Sequence, residues 1–179
     1  MRRHVYKLFF AWQFEEEEKW LNRMSAMGLQ LVGVGFCRYV FEDGQPGEYL
    51  YRIELLNNLP THAESMAYLR FLEDEMGVEH VGSWVSWVYL RRRAADGPFD
   101  LYSDLESRLR HYRRILALFA GLVPLAMAGV HRLPDLLSNW PDHILRILIT
   151  LLPPVLLAPG LISIWYKVKR LERERAIRE

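Results

Sequence analysis

The chain has a single cysteine, Cys37, so it can form no internal disulfide and offers no thiolate pair to a metal. A free cysteine is usually a small buried hydrophobe, and Cys37 is expected to be one. The histidines show no paired spacing and HExxH is missing, so neither a metal centre nor a cofactor is expected. No nucleophile elbow or Gly-rich phosphate loop occurs. Gly33 and Gly35 form GxG, but the helix a dinucleotide site needs does not follow, so they read as strand glycines at a bulge or close packing point. A strong net charge is lacking too, with a formal +1 and a mean hydropathy of -0.06. The N-terminal apolar run is short and meets Glu15, Glu16, Glu17 and Glu18 at once, which is not the pattern of a cleavable signal peptide.

Two long apolar stretches close the chain, residues 115–130 and 147–166. A helix needs about 20 apolar residues to cross a bilayer core, so the second suffices and the first needs its flanks. Arg108, Arg110, Arg113 and Arg114 border the first, and Lys167, Lys169 and Arg170 the second. The segment charges are -4 over 1–101, +2 over 102–114, 0 over 115–166 and +3 over 167–179. An acidic head on a hydrophobic hairpin with basic borders argues against direct nucleic-acid binding. The positive-inside rule then expects a multi-pass protein of the cytoplasmic membrane with both termini in the cytoplasm. Residues 101–114 read as a basic juxtamembrane helix, whose arginines, with the lysines and arginine after the second span, are expected to meet anionic lipid. A plain helical extension of the span accounts for the same pattern. Pro153, Pro154 and Pro159 are expected to kink the second span, and Arg146 to snorkel to the interface. Two spans without an interior carboxylate suit an anchor better than a transport path.

The head, residues 1–100, alternates in period. Residues 5–12 suit a strand, and 14–27 a helix with Phe14, Leu21 and Met24 on one face and its glutamates in solvent at the helix start. Residues 29–41 read as one long strand, 42–47 as a turn and 48–56 as the returning strand. A helix over 61–76, capped by Thr61 with Glu64 in the capping-box position and closed by Gly77, precedes a last strand over 78–91. Strand, helix, strand, strand, helix, strand is the α+β, ferredoxin-like βαββαβ order, with both helices on one face of an antiparallel sheet.

Parity then points Tyr49, Tyr51, Ile53 and Leu55 toward the helices and leaves Arg52 and Glu54 at the centre of an open face. An Arg/Glu pair walled by aromatics, with one of Trp84 and Trp87 beside it, fits a small ligand whose anionic group the guanidinium takes. The plainer reading is an ion pair on a solvated or dimer-forming face. Trp84 is the expected anchor for a partner or ligand. No nucleophile, base and orienting group share a recognisable spacing, so no catalytic residue is assigned.

Three segments carry a family resemblance: KLFFAWQFEEEEKWLNRMSAMGLQL at 7–31, FCRYVFEDGQPGEYLYRIELL at 36–56 and GSWVSWVYLRRRAADGPFDLYSDLESRLRHY at 82–112. Over about residues 5–114 the chain resembles the bacterial domain of unknown function 2812 family, although Leu29 stands where a tryptophan is usual after the first helix. The resemblance implies a small cytoplasmic-membrane protein, commonly of Gram-positive bacteria, often encoded beside a PadR-type transcriptional repressor. It supplies no catalytic residues. The expected function is a non-enzymatic, membrane-anchored regulatory or sensory protein whose head binds a small ligand, a protein partner or a second copy. A membrane-bound enzyme or transport accessory subunit is the alternative, and convergent titratable groups in a deep pocket would distinguish it.

Overall fold

A computed structural model of the chain describes residues 2–99, 105–128 and 144–178. The chain divides into two compact units, Met1–Leu101 and Tyr102–Glu179. The first contains β1 (Arg2–Tyr6), α1 (Phe14–Ala26), β2 (Leu29–Gly35), β3 (Arg38–Asp43), β4 (Tyr49–Leu55), α2 (Ala63–Met76), β5 (Glu79–Trp84) and β6 (Trp87–Arg93). It is mixed α+β, with two three-stranded antiparallel sheets ordered β1-β3-β2 and β4-β6-β5.

This differs from the single four-stranded sheet the period suggested. Each supposed long strand is a hairpin, folded at Phe36-Cys37 and at Val85-Ser86. Neither loop carries the Asn-Gly or Asp-Gly that announces a two-residue turn, and Cys37 and Val85 take positive φ (52° and 55°) without being glycine. Cys37 is accordingly half-buried in a loop instead of buried in a strand.

The six strands and two helices are one motif, strand-helix-hairpin, built twice. The shift that carries Gly28 onto Gly77 also carries α1 onto α2 and reproduces the strand registers. Arg2 faces Glu42 as Tyr51 faces Arg91, and Gly33 faces Val40 as Gly82 faces Tyr89. The β-bulges fall at matching positions, between Leu31 and Gly33 and between His80 and Gly82. So do the hydrogen bonds Lys7 N–H to Cys37 C=O (3.0 Å) and Leu56 N–H to Ser86 C=O (2.9 Å). Side chains coincide mainly where backbone geometry is demanding: Met27-Gly28 with Met76-Gly77 after each helix, and Val32-Gly33 with Val81-Gly82 at each bulge. Elsewhere the copies have diverged, which hides the repeat from a reading by hydrophobic period.

Packing makes the copies unequal. Trp20, Leu21 and Met24 of α1 enter a core with Leu31, Tyr39 and Phe41 of the first sheet and Tyr51, Ile53 and Tyr89 of the second. The opposite face of the second sheet carries Val88 and Leu90, and these pack with Leu72 of α2, Val78 and Phe99. Tyr51 and Ile53 therefore do face a helix, as parity required. The other face is not open, because the helices lie on opposite sides of the second sheet. Helix α2 begins two residues after Thr61, with His62 as its N-cap and no side-chain cap; Glu64 instead accepts from the Asn58 amide at 3.0 Å.

The second unit holds α3 (Leu105–Met127) and α4 (Ile144–Arg178), which pack together. Pro124, Pro153, Pro154 and Pro159 all lie within helix. The start of the expected juxtamembrane helix, the expected outer loop over 131–143, and the side chains of Arg108 and Arg146 lie outside the described residues. From residue 105 the basic segment and the first apolar segment form one helix, as a simple extension of the span would. Among the described residues one helical stretch, Thr150–Arg173, is long and apolar enough to cross a membrane (mean hydropathy 1.4).

Candidate functional site

Two of the glutamates expected in solvent are built into the head. Glu17 shares the helical stripe of Phe14, Leu21 and Met24, and that spacing was the signal for its burial. It is 7% exposed and accepts from the Tyr39 and Tyr89 hydroxyls, each at 2.6 Å. Tyr39 belongs to the first sheet and Tyr89 to the second, so one carboxylate ties both sheets to α1. Burial raises the Glu17 pKa against the two hydroxyl bonds, and burial and then the Glu17 charge raise both tyrosines. A carboxylate whose Oε1 takes both hydroxyls and which is closed from solvent is a strut, not a group presented to a substrate.

On the neighbouring stripe of Glu18, Asn22 and Ser25, α1 seals a sheet edge. Strand β4 is terminal in its sheet, and its outward backbone groups meet polar side chains of α1 instead of a strand. Asn22 accepts from the Tyr51 N–H (2.8 Å) and donates to the Tyr51 C=O (3.1 Å). Glu18 accepts from the Ile53 N–H (2.8 Å), and the Ser25 hydroxyl donates to the Tyr49 C=O (2.7 Å). Burial raises Glu18 to a pKa of about 7, against the Ile53 amide and the Arg52 charge.

The two residues of the expected ligand pair lie on the face of β4 that α2 covers. Glu54 is buried and accepts from the Tyr68 hydroxyl of α2 at 3.0 Å. Arg52 is half-buried, with its guanidinium 5.9 Å from the centre of the Phe99 ring. Trp84 lies away from both, at the tip of the β5–β6 hairpin directly across from Trp87. The parity that set the two tryptophans on opposite faces fails because the turn between them restores the face. Trp87 packs with Phe14 at 5.8 Å between ring centres.

Trp84 instead meets Phe36, from the tip of the equivalent hairpin, at 5.4 Å between ring centres. Both are exposed, Phe36 at 70% and Trp84 at 42%, as is the adjacent Val85. A patch of side chains this apolar is where a protein surface usually meets something else. The alternating period of residues 29–41 places Phe36 inside a strand, and no local turn signal marks it.

In the second unit the basic borders of the two apolar segments come together. Arg113 of α3 pairs with Glu172 of α4 at 2.9 Å, Lys169 approaches the same carboxylate at 3.5 Å, and Lys167 lies 5.7 Å from the centre of the Tyr112 ring. Arg110 and Arg170 are exposed and Arg114 half-buried at that end. Leu148, Leu152, Val155, Ile162 and Trp165 of α4 are exposed apolar side chains, the kind a bilayer covers. Among the described residues no cluster of His, Cys, Asp and Glu has the make-up of a metal site.

No curated protein and no solved structure matches the chain. The model of the family described as protein of unknown function (DUF2812) matches residues 13–123, which spans α1, both hairpins, α2 and most of α3, and the chain belongs to that family.

Proposed function

We propose that this chain is a non-enzymatic, membrane-anchored regulatory or sensory protein whose cytoplasmic head binds a protein partner through its hairpin tips. The Phe36–Trp84 contact carries the reading, because two divergent copies of one motif present aromatic rings to solvent side by side. Aromatic anchors dominate interface energetics, and burying such a pair is a strong source of affinity. The sealed Glu17–Tyr39–Tyr89 cluster favours a rigid binding module over a site of turnover. Two spans, α3 and α4, would hold the head at the cytoplasmic membrane with both termini inside. The meeting of Arg113, Lys169 and Lys167 at one end of the helix pair supports that orientation, since it sets both basic borders on one side. The packing of α2 on the second sheet's other face favours the hairpin tips over a homodimer through that face.

The test is photo-cross-linking in native membranes from a probe residue at position 36, with a second probe at the exposed Glu75 as control. A discrete adduct from position 36 is expected, absent from position 75 and abolished by Trp84→Ala. Adducts of equal yield from both positions, or ones indifferent to Trp84→Ala, would overturn the reading.

A further inference from the structure

We infer that the outer edge of β1 is a docking site for an extended acidic segment of a partner polypeptide, which adds to the first sheet as a fourth strand. The inference is separate from the hairpin-tip reading and does not rest on it.

The duplication makes the edge conspicuous. In the second copy the edge of β4 is closed by Glu18, Asn22 and Ser25 of α1. The edge of β2 is closed as well: the Leu31 N–H donates to the Tyr51 hydroxyl (2.9 Å), and the Leu31 C=O takes the Arg91 guanidinium (3.4 Å). Strand β1 is the equivalent of β4, and among the described residues no strand pairs with its outer edge. The equivalents of Glu18 and Asn22 in α2 are Ala67 and Phe71, which have neither carboxylate nor amide to offer, and the equivalent of Ser25 is Asp74, which is exposed. The device that closes β4 is therefore not repeated for β1.

The direction of the free groups follows from the register. Lys7 donates its N–H inward to Cys37, so the alternate residues Arg2, His4 and Tyr6 turn their N–H and C=O outward. These match Tyr51 and Ile53, whose outward groups α1 engages. All three residues are exposed, Tyr6 at 74%. An extended peptide completes such a row with its own backbone.

Charge selects the occupant. Arg2, Arg3, His4 and Lys7 crowd the strand and its exit, with no acidic residue among them. Arg2 and Arg3 pair with Glu42 and Asp43 of β3 at 2.7 and 2.9 Å, yet their side chains stay 73% and 57% exposed and open to a further carboxylate. A second copy aligned antiparallel would set these cations against one another, and like charges directly opposite are destabilising. A strand carrying Asp or Glu meets the same row favourably. The carboxylate of Glu18 on the β4 edge is the intramolecular precedent.

The experiment uses the full chain in detergent micelles and a fluorescein-labelled peptide alternating glutamate with threonine. Fluorescence anisotropy reads binding, and hydrogen exchange reads the amides of residues 2–6. Saturable binding is expected, with slowed exchange at Arg2, His4 and Tyr6 and no response to Trp84→Ala. His4→Pro removes an outward N–H but no bond to β3, a change edge strands tolerate, and should weaken binding by about tenfold or more. Arg2→Glu with Arg3→Glu should do the same by charge, and provides the test if the proline variant does not fold. Equal binding of a peptide N-methylated at alternate residues would reduce the effect to charge attraction and overturn strand addition. So would unchanged exchange at residues 2–6, or binding that survives both sets of substitutions.

Discussion

The Glu18 carboxylate takes the backbone N–H of Ile53 at 2.8 Å, so a helix side chain occupies the place of a neighbouring strand. Burial at that place lifts the carboxyl from its ordinary 4.5 to about 7. Between those two pH values the folded chain keeps a proton that the unfolded chain has released. The folded state thus binds more protons in the window, and raising the pH through it weakens the fold. The stability linked to this proton is full below about 4.5 and lost above about 7.

Glu18→Gln keeps an oxygen for the Ile53 N–H but removes the titration. The variant should match the parent near pH 5 and exceed it near pH 8 by about 1–2 kcal/mol, a figure reduced from the full linkage value because the group retains some solvent. Thermal melts of the full chain in micelles at the two pH values measure this. A parent whose Tm does not fall across the window, or a Gln variant that falls as steeply, would show that Glu18 is not the titrating group. Glu17 is shifted in the same direction by burial, so some of the slope should survive in the Gln variant.

A second prediction contrasts neighbouring residues of β4. Ile53 is 2% exposed between α1 and the sheet, so Ile53→Ala should cost about 2–5 kcal/mol. Arg52 is half-buried and touches Phe99 with its guanidinium, and Arg52→Ala should cost well under half of that. On the same face as Arg52, Tyr68→Phe removes a hydroxyl from the buried Glu54 carboxylate and should cost about 1–3 kcal/mol. Urea unfolding of the three variants gives the order. A larger loss for Arg52→Ala than for Ile53→Ala would reverse the assigned faces.

These residues also show what could be read in advance. The inward parity of Tyr51 and Ile53, the helix ends at Gly28 and Gly77 and the return at 42–47 were legible, because period and glycine placement report them directly. The folds at Phe36-Cys37 and Val85-Ser86 were not. A β-branched residue and a cysteine hold positive φ there only because the flanking strands pair, and tertiary pairing leaves no mark on the local sequence. Glu17 was hidden by its neighbours, since a run of like charges reads as a solvated surface although one member falls on the apolar stripe. Arg52 and Glu54 were placed on the right side of β4, but nothing in α2 announced that it would cross to cover them.

The two helix-ending glycines should differ in tolerance. Gly28 and Gly77 both have positive φ, 81° and 61°. A Cβ added at Gly28 would lie 3.0 Å from the Gly44 carbonyl oxygen, whereas one at Gly77 meets nothing within 4 Å. Gly77→Ala should therefore cost about 1 kcal/mol, the strain of the left-handed backbone alone. Gly28→Ala should cost clearly more, since it adds displacement of the 44–47 turn, whose Gly44 N–H donates to the Gly28 C=O at 2.8 Å. Equal melting temperatures for the two variants would contradict the contact at Gly44.

The proposed topology makes the last prediction. If the basic ends of α3 and α4 share the cytoplasmic side, the connection between the helices lies outside and the C-terminus inside. Replacing Cys37 by Ser gives a background without thiols, as Cys37 is the chain's one cysteine, and its half-buried loop position should tolerate the change. Single cysteines introduced at Ser138 and at Glu179 then report the two sides to a membrane-impermeant maleimide in intact cells. Labelling of Ser138→Cys, and of Glu179→Cys only after permeabilisation, is the expected pattern. It follows from the Arg113–Glu172 pair, which joins the basic borders, and from the cost of moving a cluster of arginines and lysines through the apolar core. Labelling at 179 but not at 138 would invert the orientation. Labelling at neither position before permeabilisation would mean that α3 and α4 do not span as a pair, and the anchor would reduce to a helix lying against the inner face of the membrane.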